Sequence, residues 1–274
     1  MSASKTKSLT IDFWNGNRSE VRQNHEKNIL EAVLEATSKQ FGDFDILESR
    51  EEYTGEEESS ALTQKNHDLL ITIAGNQKFN TEEVILIPRP LARNILGYRI
   101  LIINRKDQVK FNEVNTSKIK SLAQGIPKTW SDADIFRSNG YKVREEGHFD
   151  DIFERLATKQ FDYVTFGINE VKSVFNQKVM SSDKLIIEDQ LIFFYPFPLV
   201  FYVNPKQKSL AKRIEKGLEI IEGNGTLDNI FKAHYGSLTR GLNLKNRDLF
   251  CLENPLTPKK FANLEPDLDF IHNN

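Results

Sequence analysis

The stretch Gln124–Glu170 constrains the fold of this chain more than any other. Gly125, Pro127, Ser131 and Asp132 interrupt regular structure at its start. A short helix-compatible segment, Asp134–Ser138, stops at Asn139-Gly140. Tyr141–Val143 reads as a strand. Asp150 or Asp151 can cap a following helix, with Ile152, Phe153, Leu156 and Ala157 at near-helical spacing. Phe161–Phe166 returns as a strand. Strand, helix and strand in so few residues require a parallel crossover, and hence an α/β sheet. Gly167 and Asn169 follow the last strand's carboxyl end, where such sheets bind ligands.

The same grammar opens the chain. Leu9–Trp14 alternates as a strand, and Ser19 is placed to cap the helix that follows, with Ile29, Val33, Leu34 and Ala36 along one side. Phe44–Leu47 reads as a strand, Glu56–Lys65 as a weak helix, and Asp68–Ile73 as a buried parallel strand. This βαβαβ order is half of a doubly wound domain. Val84–Ile87 and Tyr98–Ile103 are two further strands, followed by the polar break Asn104–Asp107. Late in the chain, the run Ile192–Val203 ends at Asn204-Pro205. Leu210–Ile221 is amphipathic, and Leu227–Tyr235 forms a final helix closed by Gly236. From Asn243 the tail reads as an extended surface arm.

With 274 residues, the chain has room for two lobes of ordinary size. A net charge of −2 and no dominant basic face argue against nucleic acid as a partner. One cysteine, Cys251, excludes an internal disulfide and a cysteine-rich metal site. The five histidines show no ligand-like pairing, so neither metal nor cofactor is expected. No run approaches the ~20 apolar residues of a membrane span, and Met1–Lys7 lacks the apolar core of a signal peptide. The chain is then cytoplasmic, or a mature secreted form carrying a start codon. No nucleophile elbow, phosphate loop or dinucleotide fingerprint is present.

Several residues are candidates for binding chemistry, each with a plain structural alternative. Trp14 and Trp130 fall at strand ends or loops, where an indole stacks on a ligand or packs the core. Asp132 either accepts hydrogen bonds from a ligand or caps its helix. Arg89, Arg93 and Arg99 cluster around proline-rich turns, as a carboxylate clamp or as solvated surface. Asn76 and Asn169 follow strand ends, offering both donor and acceptor, or simply turning the chain.

Val200–Lys206, Leu210–Glu222 and Gly225–Gly236, in that order, resemble the C-terminal signature of periplasmic solute-binding proteins of family 3. Phe153–Asp162 resembles a step in that family's second lobe, and the order holds over residues 8–236. The resemblance implies the two-lobed type II periplasmic-binding fold, α/β in class, with two hinge crossings and a C-terminal extension. Lobe 1 would comprise 1–104 plus 202–274, including the arm 243–274, and lobe 2 would comprise 105–201. It further implies an extracytoplasmic, non-enzymatic protein that holds a small-molecule solute in the interlobe cleft for transport. The protein would be periplasmic, with its signal peptide absent from this chain, monomeric, and partnered by a membrane permease. Two slots depart from the family pattern. Glu83 stands near the arginine that holds a substrate carboxylate, and Gly167 near the aspartate that holds an ammonium. These departures argue against an α-amino acid and leave a small polar or anionic solute. The segments Gly125–Asp132, Phe166–Glu170 and Leu252–Leu256 resemble a divergent branch of transporter-type binding domains. An enzyme on the same fold, a dehydratase for example, would draw on Asp132, Glu170 or His148. A ligand-sensing domain is the other alternative.

Overall fold

In the computed structural model, residues 8–80, 82–179 and 183–267 are described. Twelve strands occur among them: β1 Leu9–Trp14, β2 Phe44–Ser49, β3 Leu69–Ile73, β4 Ile85–Leu86, β5 Tyr98–Asn104, β6 Ala123–Ile126, β7 Lys142–Glu145, β8 Tyr163–Gly167, β9 Leu185–Ile187, β10 Leu191–Phe194, β11 Leu199–Val203 and β12 Asp248–Cys251. They form two sheets, and the chain divides into two compact units: Met1–Arg93 with Pro198–Tyr235, and Asn94–Phe197 with Gly236–Asn274.

The first unit holds the order β2-β1-β3-β11-β4. β1 runs parallel to β2 and β3, while β11 is antiparallel to β3 and β4. The opening βαβαβ reading is therefore correct. Ser19 accepts the Arg22 N–H and caps helix Glu20–Ala36, satisfying one of the orphan donors of its first turn. β3 is almost wholly buried, as its unbroken apolar run requires. Helix Glu20–Ala36 buries Ile29, Leu30, Val33 and Leu34 in contact with helix Lys208–Gly223, which contributes Ile214, Leu218 and Ile221.

The second unit holds β12-β10-β5-β8-β6-β7, with β9 also paired to β5. β6 is parallel to β7 and β8, so the crossovers read from Tyr141–Phe166 exist as expected. β6 itself lies where the sequence reads as a loop. Gly125 reads as a breaker, yet it is needed inside the strand. A Cβ there would lie 2.4 Å from the Phe161 ring, so only glycine admits that close packing.

The expected lobe boundaries shift. β5, assigned by sequence to the first lobe, lies at the heart of the second sheet, antiparallel to β8 and β10 with all seven residues buried. The C-terminal arm also belongs to the second unit. Within it β12 pairs parallel to β10, and the Arg247 guanidinium donates to Leu242 and Leu191 carbonyls. The chain thus changes unit three times rather than two, at 93/94, 197/198 and 235/236. Pro196 and Pro198 explain the second step. They split Ile192–Val203 into β10 and β11, because proline cannot donate to a ladder.

Candidate functional site

In both sheets the chain reverses its direction of growth at one point, and open α/β sheets bind ligands beside that point, at the strands' carboxyl ends. In the second unit it lies between β6 and β8. The loop 127–131 leaves β6 and enters helix Asp132–Ser138. The turn 168–170 leaves β8 and enters helix Val171–Lys178.

Asp132 opens its helix, where a negative charge suits the helix dipole. It is 6% exposed. Its Oδ1 accepts from the Tyr195 hydroxyl at 2.6 Å and from Arg99 Nη2 at 2.9 Å. The sequence alternative of Asp132 as helix cap is not realised. Ser131 occupies the N-cap position, without a side-chain cap bond.

Arg99 reaches the same place from β5, in register with Gly167. Its Nε donates to Tyr195 Oη at 2.7 Å, and its Nη1 lies 3.5 Å from Glu170 Oε1. The guanidinium also lies 5.7 Å from the ring centres of both Tyr195 and Phe197. Burial works against the arginine's charge, but the Asp132 carboxylate and the Tyr195 oxygen outweigh it and hold the pKa above its ordinary value. Burial pushes the Tyr195 phenol well up, against the pull of Arg99, so it stays protonated and donates to Asp132. The trio is a charge-assisted network with its hydrogens assigned.

Around this network are less committed groups. Glu170 Oε1 accepts the Gly167 N–H at 3.2 Å, and its side chain is 43% exposed. Asn169 Oδ1 is buried with no hydrogen-bond partner, and a Cβ on Gly167 would stand 2.4 Å from it. Glycine at 167 thus leaves room for that amide. Trp130 is half-buried, stacked on Phe149 at 6.2 Å and edge-on to Phe166 at 6.1 Å. With Asp132, Thr165 and Phe166 it lines a narrow hollow over the ends of β6 and β8. Thr129, just before it, has φ of +72°, a left-handed conformation that β-branched residues rarely adopt.

The other candidates lie in the first unit. Trp14 is fully buried. Its Nε1 donates to the Glu51 carbonyl and its ring stacks on Tyr53 at 4.8 Å, so the indole is packed as a core residue. Asn76 makes a turn: its amide donates to Thr72 Oγ1 and its oxygen accepts the Lys78 N–H. Arg89 pairs with Glu222, and Arg93 with Asp228. Arg89 and Arg93 are thus each paired with an acid of the first unit, and Arg99 with Asp132 of the second.

Tyr195 was missed by sequence reasoning, since it sits inside the apolar run that ends β10 and carries no local signal. Of the residues considered for catalysis, Asp132 and Glu170 flank Arg99, whereas His148 is exposed on the turn before helix Ile152–Ala157. Among the described residues no cluster of three or more His, Cys, Asp or Glu is arranged to hold a metal ion, and no helix is long and apolar enough to cross a membrane.

No protein-family model matches this sequence, and no curated protein does. Solved structures do match. An ancestral arginine-binding protein bound to arginine aligns over 85% of this chain and 100% of its own, with 16% identity and a TM-score of 0.52. A probable amino-acid ABC transporter extracellular-binding protein from Bacillus subtilis aligns over 84% and 100%, with 13% identity and a TM-score of 0.58. A histidine kinase sensor domain with similarity to periplasmic binding proteins aligns over 84% and 96%, with 12% identity and a TM-score of 0.54. The chain has the α/β fold of these periplasmic binding proteins.

Proposed function

We propose that this chain is a solute-binding protein of the family-3 type, which captures a small polar or anionic molecule at the carboxyl-end face of its second sheet. One observation carries the reading. At the switch point of that sheet, Arg99, Asp132 and Tyr195 meet beside a half-buried indole and an unpartnered amide oxygen. A few placed polar groups beside aromatic surface are what a small-molecule site needs. In this reading Trp130 supplies the apolar wall, and Asn169 and Glu170 orient the solute. Arg99 is held ready by Asp132 and Tyr195 rather than left free in water. Capture by closure of the two units, monomeric action, delivery to a membrane permease and a periplasmic location are parts of the same proposal.

Solved proteins of this fold named above are binding proteins, which favours binding over turnover. The sensor domain among them supports a second reading, in which capture signals rather than delivers. Thermal-shift and calorimetric screening against amino acids, organic acids and polyamines tests the shared premise. One ligand class should raise the melting temperature, and Trp130→Ala and Asn169→Ala should each abolish that rise while leaving the fold intact. A flat screen, together with small-angle scattering unchanged by every ligand, would reject it.

A further inference from the structure

β12 ends the order of the second sheet, and its outer edge borders a hollow of about 210 Å³. Leu249–Cys251 form one wall of it, and Lys120, Asn139 and Tyr141 stand opposite.

The register of β12 decides what that wall offers. Among the described residues its strand partner is β10, to which Asp248 and Leu252 donate through their N–H groups. Alternate residues of a parallel ladder turn to opposite sides, so Leu249, Cys251 and Glu253 direct N–H and C=O away from β10. At Glu253 both groups are satisfied by one side chain. The Asn139 amide donates to the Glu253 carbonyl at 2.7 Å and accepts its N–H at 2.9 Å, as a ladder partner would. Asn139 lines the hollow, so the edge it holds looks onto that hollow. At Cys251 and Leu249, earlier on the same edge, no strand and no side chain among the described residues takes its place.

The floor and the charge are independent of that register. Phe250 and Tyr141 both pack on Phe193 of β10, with ring centres 5.8 and 5.4 Å away. They therefore share one face of the sheet, and strand alternation sends the Leu249 and Cys251 side chains to the other. What those two residues bring to the hollow is main chain. Lys120 is half-buried, with Nζ 5.4 Å from the Tyr141 ring centre. Among the described residues no carboxylate lies within ion-pairing distance of it.

We propose that the outer edge of β12 binds an extended peptide segment carrying an acidic side chain. The peptide main chain would exchange hydrogen bonds with Leu249 and Cys251, continuing the pairing that Asn139 makes at Glu253. A side chain of the added strand, level with Phe250, would enter the hollow and set its carboxylate against Lys120. In strand addition the main-chain bonds supply affinity and the side-chain pocket supplies selectivity. An unpaired edge invites such pairing, and the four-residue length of β12 limits it to a short segment. The edge shares no residue with the proposed solute face, and the two proposals stand independently.

Amide hydrogen exchange of the full chain, read residue by residue by NMR, tests the edge. In the free protein the Leu249 and Cys251 amides should exchange quickly, and the Phe250 amide, which faces β10, slowly. A capped Thr-Val-Glu-Val-Thr peptide should slow exchange at Leu249 and Cys251 saturably, by roughly ten-fold or more, and leave Phe250 unchanged. The same peptide with lysine at its centre should bind more weakly. Lys120→Glu should reverse that order, since like charges then meet the acidic peptide. Cys251→Pro deletes one outward N–H at a position where an edge strand tolerates proline, and should abolish protection of Leu249. Lys120→Glu alters only a half-buried side chain, so a Cys251→Pro variant that fails to fold leaves the test intact. No protection by either peptide, equal affinity for both, or Phe250 slowed along with its neighbours would overturn the proposal. Protection that rises with protein concentration alone would overturn it too, assigning the edge to a second copy of this chain.

Discussion

The two sheets share a rule and use it differently. Each has a switch point at strand carboxyl ends, between β1 and β3 in the first and between β6 and β8 in the second. In the first unit that place is sealed. Trp14 is packed on Tyr53, Asn15 is tied to Glu48 and Gln23, and Arg18 and Arg22 both clasp the fully buried Glu26. In the second unit the tryptophan is half-exposed and a carboxylate faces water; a buried amide oxygen without a hydrogen-bond partner occurs in both places, Asn15 Oδ1 in the first and Asn169 Oδ1 in the second. Topology marks where a site is allowed, and the exposure of the groups there is what differs between the two faces.

The sharpest break of this contrast is at Glu26. Glu26→Gln takes the buried Arg18 guanidinium's carboxylate away and should cost about 3–5 kcal/mol, read as a lower denaturation midpoint. Trp14→Ala should cost a similar ~3–5 kcal/mol through the cavity it leaves. Trp130→Ala should cost only about 1 kcal/mol at its half-buried site, while removing the solute response. Equal losses at the two tryptophans would erase the distinction between the faces.

Acid provides the next test. Burial holds His25 neutral with its pKa pushed down to about 3, despite the opposing pull of Glu26. His234 and Arg22 add to the lowering. The unfolded chain binds a proton near pH 6.5 that the folded chain refuses. Stability contributed by neutral His25 is thus complete above pH 6.5 and falls as the pH drops toward 3, by about 1.4 kcal/mol per unit. His25→Phe should flatten that part of the pH–stability curve. An unchanged slope would show that other groups dominate acid sensitivity in the first unit.

Smaller effects probe the second face. Asp132→Asn leaves Arg99 with the half-exposed Glu170 carboxylate, 3.5 Å away, as its remaining counter-charge and should cost roughly 2 kcal/mol, with weaker solute binding. Thr129→Gly relieves the left-handed backbone beside Trp130 and should stabilise by about 1 kcal/mol. If it also weakens solute binding, the strain serves to hold the indole in place.

Much of the fold was legible because its signals are local. The alternation in Leu9–Trp14, the serine before helix Glu20–Ala36 and the unbroken apolar run of β3 each report on residues close in sequence. β6 was hidden because glycine reads as a breaker unless the Phe161 ring packed against it is known. The arm was misplaced because Asp248–Cys251 carries no strong pattern of its own and is a strand only by pairing with β10.

The candidate site divides along the same line. Composition and spacing picked out Trp14, Trp130, Arg99 and Asp132 as residue types able to bind, and the order of strands and helices set the α/β class of fold. Which tryptophan is sealed, and which acid each arginine finds, depended on contacts between distant parts of the chain. Tyr195 meets Asp132 across 63 positions and Arg99 across 96. Local periodicity reports which side of an element is apolar. Hydrogen-bond partners and burial are properties of the packed chain, and they alone separated the committed groups from the available ones.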